Sequence, residues 1–273
     1  MTDLEQQRSI RMGDKQRQFV YDFDSTLART SGLHVQSIEN TMLKLTGRTI
    51  ELTPEVVSRV KGKSSREIFD ILFEHMGVST TTDLIEQAIT MRWQQMIELV
   101  QTMRVSDVLE DGVRELVRQM RQQNITAPIA TNSAELFVNK FLQTVCVDGV
   151  PIADVFPDVV GEETILKYDL AQPQPAGSQF ASASKPNPTH VHLAAQKVAQ
   201  NPEMIVYVGD TDIDVQTVLN DPTMLGIIIN REKATALRKK YEHSEVVFAG
   251  TLLSLLALTE DDLRGDDSTG YLG

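Results

Sequence analysis

Cysteine is nearly absent: Cys146 is the only one among 273 residues. No internal disulfide framework is therefore possible, and a reducing compartment is expected. Cys146 stands between Val145 and Val147, which predicts a buried structural thiol. Long apolar runs are missing too, since none reaches the ~18 residues of a membrane-crossing helix. The opening stretch MTDLEQQRSIRMGDKQRQ lacks the apolar middle of a secretory signal, so a cytoplasmic protein is the expectation. Positive charge is scarce. Only 26 Lys and Arg stand against 38 Asp and Glu, a formal net charge of −12. Nucleic acid and anionic membrane surfaces both need cations to meet their phosphates, so neither partner is expected. A small phosphorylated metabolite fits if a metal ion or a local cation offsets the repulsion.

What is present is an ordinary core-forming composition, with 41% apolar residues. Residues 1–17 read as a polar N-terminal arm, loose or a frayed helix, and residues 259–273 as a mobile acidic tail. QFVYDF (18–23) is apolar on both faces, as in a buried parallel strand. Helical spacing then runs through 34–45, 54–60, 65–76 and 83–103. From Val108 onward helices alternate with strands, among them 127–130, 204–208, 225–229 and 246–248. Strands separated by helices imply right-handed crossovers and a mainly parallel sheet. The fold class is therefore α/β: a Rossmann-like core from 18–28 and 105–258, interrupted by an inserted α-helical cap at 29–104. The stretch between Gly161 and Ser184, rich in Ala, Gln, Pro and Ser, reads as an exposed loop.

The chemistry concentrates at strand ends. Asp22 and Asp24 lie two apart at the end of the first apolar strand, hence on one face and roughly 6.6 Å apart along it. Two such carboxylates raise one another's pKa unless a cation joins them. MIVYVGDTDID (204–214) repeats the arrangement with Asp210, Asp212 and Asp214. Hard oxygen donors at two strand tips suit Mg²⁺. For each of Asp22, Asp24, Asp212 and Asp214, helix or turn capping is the structural rival. Thr131-Asn132-Ser133 follows a strand and precedes a helix, where a hydroxyl and backbone N–H groups can hold a phosphate. In Lys185-Pro186-Asn187-Pro188 the prolines stiffen the approach of the Lys185 ammonium. Lys167 is the nearest competitor for that role. His190 and His192 face different ways on one helix and are expected to be exposed or capping; His34, His75 and His243 show no partners in the sequence.

Taken in order, DFDST, Thr131, Lys185 in KPNP, and Gly209-Asp210 with Asp214 resemble the four motifs of the haloacid dehalogenase-like superfamily, over about 18–258. The helical insert looks like the cap of its beta-phosphoglucomutase and phosphoglycolate phosphatase-like branch, and Gly62-Lys63-Ser64-Ser65-Arg66 resembles that cap's substrate-facing turn. The resemblance implies a Mg²⁺-dependent phosphatase acting on a small phosphorylated metabolite, as monomer or homodimer. Asp22 is the implied nucleophile and Asp24 the general acid and base. Thr131, Asn132 and Lys185 would bind the phosphoryl group, and Lys63 and Arg66 of the cap the remainder. The implied Mg²⁺ ligands are Asp22, Asp24 through its backbone carbonyl, and Asp210. Asp214 belongs to the metal set or orients Lys185, and the cap would close over the substrate. Ser25 departs from the family, which commonly has glycine there. The alternatives are a phosphosugar mutase on the same core, a phospho-accepting signalling domain, and a catalytically inert phospho-ligand binding protein.

Overall fold

The computed structural model describes residues 10–12, 15–60, 63–173, 178–198, 202, 204–229, 234–241, 246–249 and 252. The chain divides into two compact units, one of residues 1–28 with 105–273 and one of residues 29–104.

In the first unit, apolar runs fold as strands and amphipathic runs as the helices between them. The strands are β1 (Ile10–Met12), β2 (Lys15–Tyr21), β3 (Ile129–Ala130), β4 (Cys146–Val147), β5 (Val150–Pro151), β6 (Val159–Val160), β7 (Met204–Gly209), β8 (Met224–Ile229) and β9 (Val246–Ala249). The main sheet runs β6-β3-β2-β7-β8-β9 with every neighbouring pair parallel, and β1 pairs antiparallel with β2. Phe19, Val20 and Tyr21 are all buried, as are the last five residues of β7 and all of β8. Such strands are hydrophobic throughout because parallel sheets are covered on both faces.

The order of the sheet decides where ligands can sit. From β2 the chain passes to β3 on one side and, later, to β7 on the other. The carboxyl ends of these three neighbours open at a topological switch point, the usual ligand crevice of open α/β sheets.

The connecting helices are α5 (Val105–Val108), α6 (Val113–Gln122), α7 (Glu135–Thr144), α8 (Glu162–Ala171), α9 (Thr189–Val198), α10 (Asp212–Leu219) and α11 (Ala234–Lys240); numbers α1–α4 fall to the helical unit. That unit holds α1 (Ser31–Thr46), α2 (Pro54–Val60), α3 (Ser65–His75) and α4 (Thr82–Thr102). Its ends are set locally. A capping box of Ser64 and Glu67 opens α3, and the left-handed Gly47, φ 69°, closes α1 by donating to the Leu43 carbonyl. Met42, Phe69, Leu72, Phe73 and Ala88 form its buried centre.

Three expectations need correction. Residues 10–12 and 15–17 are strand rather than a loose arm, because backbone pairing along β2 does not require apolar side chains. Residues 162–171 are helix α8 rather than loop. Cys146 is only half-buried, in the short β4–β5 hairpin. Gly62 and the tail 259–273 lie outside the described residues. No helix among the described residues is long and apolar enough to cross a membrane.

Candidate active site

Asp22 and Asp24 leave β2 on either side of Phe23. Phe23 is fully buried and meets Phe137 and Phe141 of α7 edge-on, with centroids 5.9 and 5.0 Å away. Strand alternation turns the two flanking carboxylates the other way. The Asp22 N–H donates to the Val208 carbonyl of β7 at 2.8 Å, locking the two acidic strand ends in register. Ser25 then takes a left-handed conformation, φ 59°, at the position where glycine would be unstrained. The Phe23 carbonyl receives the N–H groups of Leu27 and Ala28 at 2.9 and 3.0 Å, so the turn is closed by backbone bonds.

Lys185 arrives from the other side of the unit on a braced loop. Asp169 of α8 accepts from the Ser182 hydroxyl and the Ala183 N–H at 2.7 and 2.9 Å. Asn187 donates back to the Ser182 carbonyl at 2.9 Å, and Asn220 to the Pro186 carbonyl at 3.1 Å. Lys185 is thereby buried, and its ammonium donates to Asp22 Oδ1 at 2.6 Å, Tyr207 Oη at 2.8 Å and Asp214 Oδ1 at 2.9 Å. Lys167, on α8, is exposed.

Asp210 and Asp214 follow β7. Thr211, not either aspartate, is the N-cap of α10, and Asp214 completes the capping box. Five donors converge on Asp214. Oδ1 takes Lys185 and Tyr207, and Oδ2 takes the Asp210 and Thr211 N–H groups and the Thr211 hydroxyl, at 2.6–3.2 Å. Gly209 makes room for it: a Cβ there would fall 2.6 Å from Asp214 Cβ. Thr26, fully buried, donates to Asp210 Oδ1 at 3.4 Å.

The third strand end supplies hydroxyls. Ser133 Oγ donates to Asp24 Oδ2 at 2.5 Å and Thr131 Oγ1 at 3.4 Å, while Asn132 is exposed. The start of α7 is tied to the start of α8. Glu163 of α8 takes the Glu135 N–H at 2.6 Å, and Glu135 in turn accepts from Gly161 and Thr164 at 2.9 and 3.0 Å. Each helix start is thus capped by the other's carboxylate.

Burial and crowding shape the charges. Burial first, then Asp214 and Asp24, push Asp22 up to about 7 against the pull of Lys185. Burial, Asp22 and Asp214 push Asp210 up to about 8. Burial would raise Asp214 as well, but Lys185 and Thr211 hold it below the usual carboxylate range. Burial would lower Lys185, yet Asp214 and Asp22 keep it above the ordinary range. Carboxylate oxygens of Asp22, Asp210 and Asp214 lie within 4.8 Å of one another. Three buried acids against one ammonium make a hard, under-neutralised donor set, which suits a divalent cation. Asp214 has its lone pairs committed to five donors, so Asp22 and Asp210 are the carboxylates better suited to hold one.

The α/β unit therefore brings together Asp22, Asp24, Thr131, Lys185, Asp210 and Asp214. Lys63 and Arg66 belong to the helical unit, where both are exposed and paired, Lys63 with Glu67 at 3.3 Å and Arg66 with Glu86. His34 is in fact partnered, 2.7 Å from Arg92 Nη2 through Nδ1. Three site residues escape sequence reading as individuals: Ser133, Thr26 and Tyr207. Ser133 and Thr26 lie inside motifs read for their neighbours, and Tyr207 is the one hydroxyl in the otherwise aliphatic run of β7.

His190 overturns the expectation of exposure. It is fully buried, with Nε2 3.0 Å from the Val160 carbonyl, and burial lowers it to about 3. Protonation therefore favours the unfolded chain, whose histidine titrates near 6.5. The contribution is intact above pH ~6.5 and lost as pH falls toward ~3, by about 1.4 kcal/mol per pH unit. Urea unfolding at stepped pH should show this acid limb in the wild type, and His190→Gln should flatten it. An equal slope in the variant would mean that other groups carry the acid sensitivity. His192 is half-buried and pairs with Asp221.

Comparison with known proteins bears on the same residues. A family model described as haloacid dehalogenase-like hydrolase matches residues 19–220. A phosphoglycolate phosphatase of Pseudomonas putida is 28% identical over 109 residues, 40% of this chain and 32% of that protein. The match thus spans about a third of that relative's length. Among solved structures, CbbY from Rhodobacter sphaeroides in complex with phosphate superposes with a TM-score of 0.66 at 15% identity, covering 90% of this chain and 98% of that one. Beta-phosphoglucomutase from Clostridium difficile gives 0.61 at 15% identity, covering 90% and 95%. At such identities the likeness is one of fold.

Proposed function

The chain belongs to the haloacid dehalogenase-like hydrolases, and on that premise we propose that it is a Mg²⁺-dependent phosphatase cleaving a small phosphomonoester through an aspartyl-phosphate on Asp22. The observation that carries the reading is the buried pairing of Lys185 with Asp22 at 2.6 Å, beside Asp210 and apart from the Asp24 carboxylate held by Ser133 and Thr131.

One Asp22 oxygen attacks phosphorus and the ester P–O bond breaks, while Asp24 gives its proton to the departing alkoxide. In the second half Asp24 takes a proton from water as the water oxygen attacks phosphorus. The P–O bond to Asp22 then breaks, releasing inorganic phosphate and restoring Asp22 as a carboxylate and Asp24 as a protonated acid. Lys185 and the Thr131 hydroxyl hold the phosphoryl oxygens and spread their charge. Asp22 and Asp210, with the Asp24 carbonyl that the family resemblance adds, would hold Mg²⁺. When bound, the ion offsets the acidic cluster and polarises the phosphoryl group. Asp214 orients Lys185.

A panel of small phosphomonoesters with added Mg²⁺ tests the class. Inorganic phosphate should be released, with release abolished by excess EDTA and restored by Mg²⁺. Isomerisation of a sugar phosphate without release would replace the phosphatase reading by the mutase one. Undiminished rates in excess EDTA would remove the metal from the scheme.

A further inference from the structure

We propose that Tyr207 is a positioning residue that holds the Lys185 ammonium for the phosphoryl group, an inference that rests on the phosphatase reading and deepens it. Tyr207 is fully buried in β7, two residues before Gly209. Its hydroxyl accepts from Lys185 Nζ at 2.8 Å and has one proton to give, to Asp214 Oδ1 at 3.0 Å or to the Ala130 carbonyl at 3.3 Å. The phenol therefore bridges β7, the end of β3 and the first turn of α10. Burial, then Asp214 and Asp22, push it well above its ordinary range, so it stays a neutral hydroxyl with its oxygen lone pairs available.

The count of donors and acceptors gives this bridge its meaning. An ammonium has three protons, and Lys185 spends them on Asp22, Tyr207 and Asp214. Two of these acceptors are fixed by β7 and the turn after it: Tyr207, wedged in the core, and Asp214, committed to five donors. Those two fix the nitrogen and the rotation of its protons. The third proton points at Asp22 Oδ1, the oxygen set that attacks phosphorus, and is the one a phosphoryl oxygen can share. Without the phenol oxygen, Lys185 would keep its charge through Asp214 but lose its rotational register. A purely structural tyrosine would instead matter only for packing.

Tyr207→Phe keeps the ring and removes the oxygen. Turnover of the best phosphomonoester should fall about 10- to 100-fold in kcat, with KM changed less than about twofold. Unchanged kcat in a folded Tyr207→Phe protein would overturn the proposal. A double-mutant cycle with Lys185→Met, read on urea unfolding, needs no turnover. Non-additive effects support the link, and additive effects overturn it. The wild-type protein offers a third reading. A nuclear Overhauser contact between the ¹⁵N-labelled Lys185 ammonium and the Tyr207 ring is expected, and its absence overturns the proposal even if Tyr207→Phe does not fold. A wild type that releases no phosphate would sink the phosphatase reading, while the unfolding cycle still decides the tyrosine–lysine link.

Discussion

Asp22→Asn is expected to cut phosphate release by about 10⁴-fold or more, the scale on which loss of a covalent nucleophile is felt. The amide oxygen can still accept from Lys185, so the local geometry survives while the attacking lone pair is lost. Steady-state release, in protein shown free of contaminating phosphatase, is the measurement. Full activity would remove Asp22 from the nucleophile's place. A second reading of the same variant separates chemistry from folding. In the folded protein Asp22 is raised from 3.8 to about 7, chiefly by burial. A raised carboxylate contributes stability that is present at low pH and lost as pH climbs through the folded value. Without added metal, Asp22→Asn should therefore unfold at higher urea than the wild type at pH 8, with the difference shrinking toward pH 5. A less active and more stable variant is the expected signature of an acid kept for chemistry at the expense of the fold.

Why Asp22 could be singled out from sequence, and Ser133 could not, has a physical basis. A buried parallel strand leaves a run of apolar residues, and the first polar residue after it must sit at the sheet's carboxyl edge. QFVYD and MIVYVGD both announce themselves in this way, and the structure sets them side by side as β2 and β7. The hydroxyls of Thr131 and Ser133 follow a strand of only two residues, too short for any period to register. Helix α8 was illegible for another reason. Only Ile165 of EETILKYDLA is buried, whereas Leu166 and Leu170 are exposed, so its apolar spacing does not mark one face. His190 looked like a surface residue because nothing local tells that the Val160 carbonyl meets it across 30 positions. Lys185 stands out against Lys167 through its prolines and its place among the four ordered motifs; its bracing by Asp169 and Asn220 is tertiary.

Lys185→Met carries the other large effect, and it bears on stability and turnover together. Among the described residues the ammonium is the cation that pairs with both Asp22 and Asp214, and the lysine side chain is 5% exposed. Removing one partner of a buried ion pair leaves charge without compensation, a loss of about 3–5 kcal/mol. The acids can escape part of that cost by binding protons. Asp22 and Asp210 already sit near about 7 and about 8 with the lysine in place, and they rise further without it. The deficit against wild type should therefore be modest at pH 5.5 and grow as pH rises through 8, because raised carboxylates lose their stabilising contribution on ionising. Mg²⁺ should recover part of it, by an amount that follows RT ln(1 + [Mg²⁺]/Kd), since a cation bound only to the folded cluster acts by mass action. Turnover should stay down by about 10³-fold even at saturating Mg²⁺, as a point charge on the acids does not replace a directed N–H at the phosphoryl oxygens. Urea midpoints across pH, with and without Mg²⁺, beside phosphate release, test all three statements. A deficit that is constant with pH would mean that the methionine disturbs packing rather than charge, and wild-type turnover would take Lys185 out of the phosphoryl-binding set.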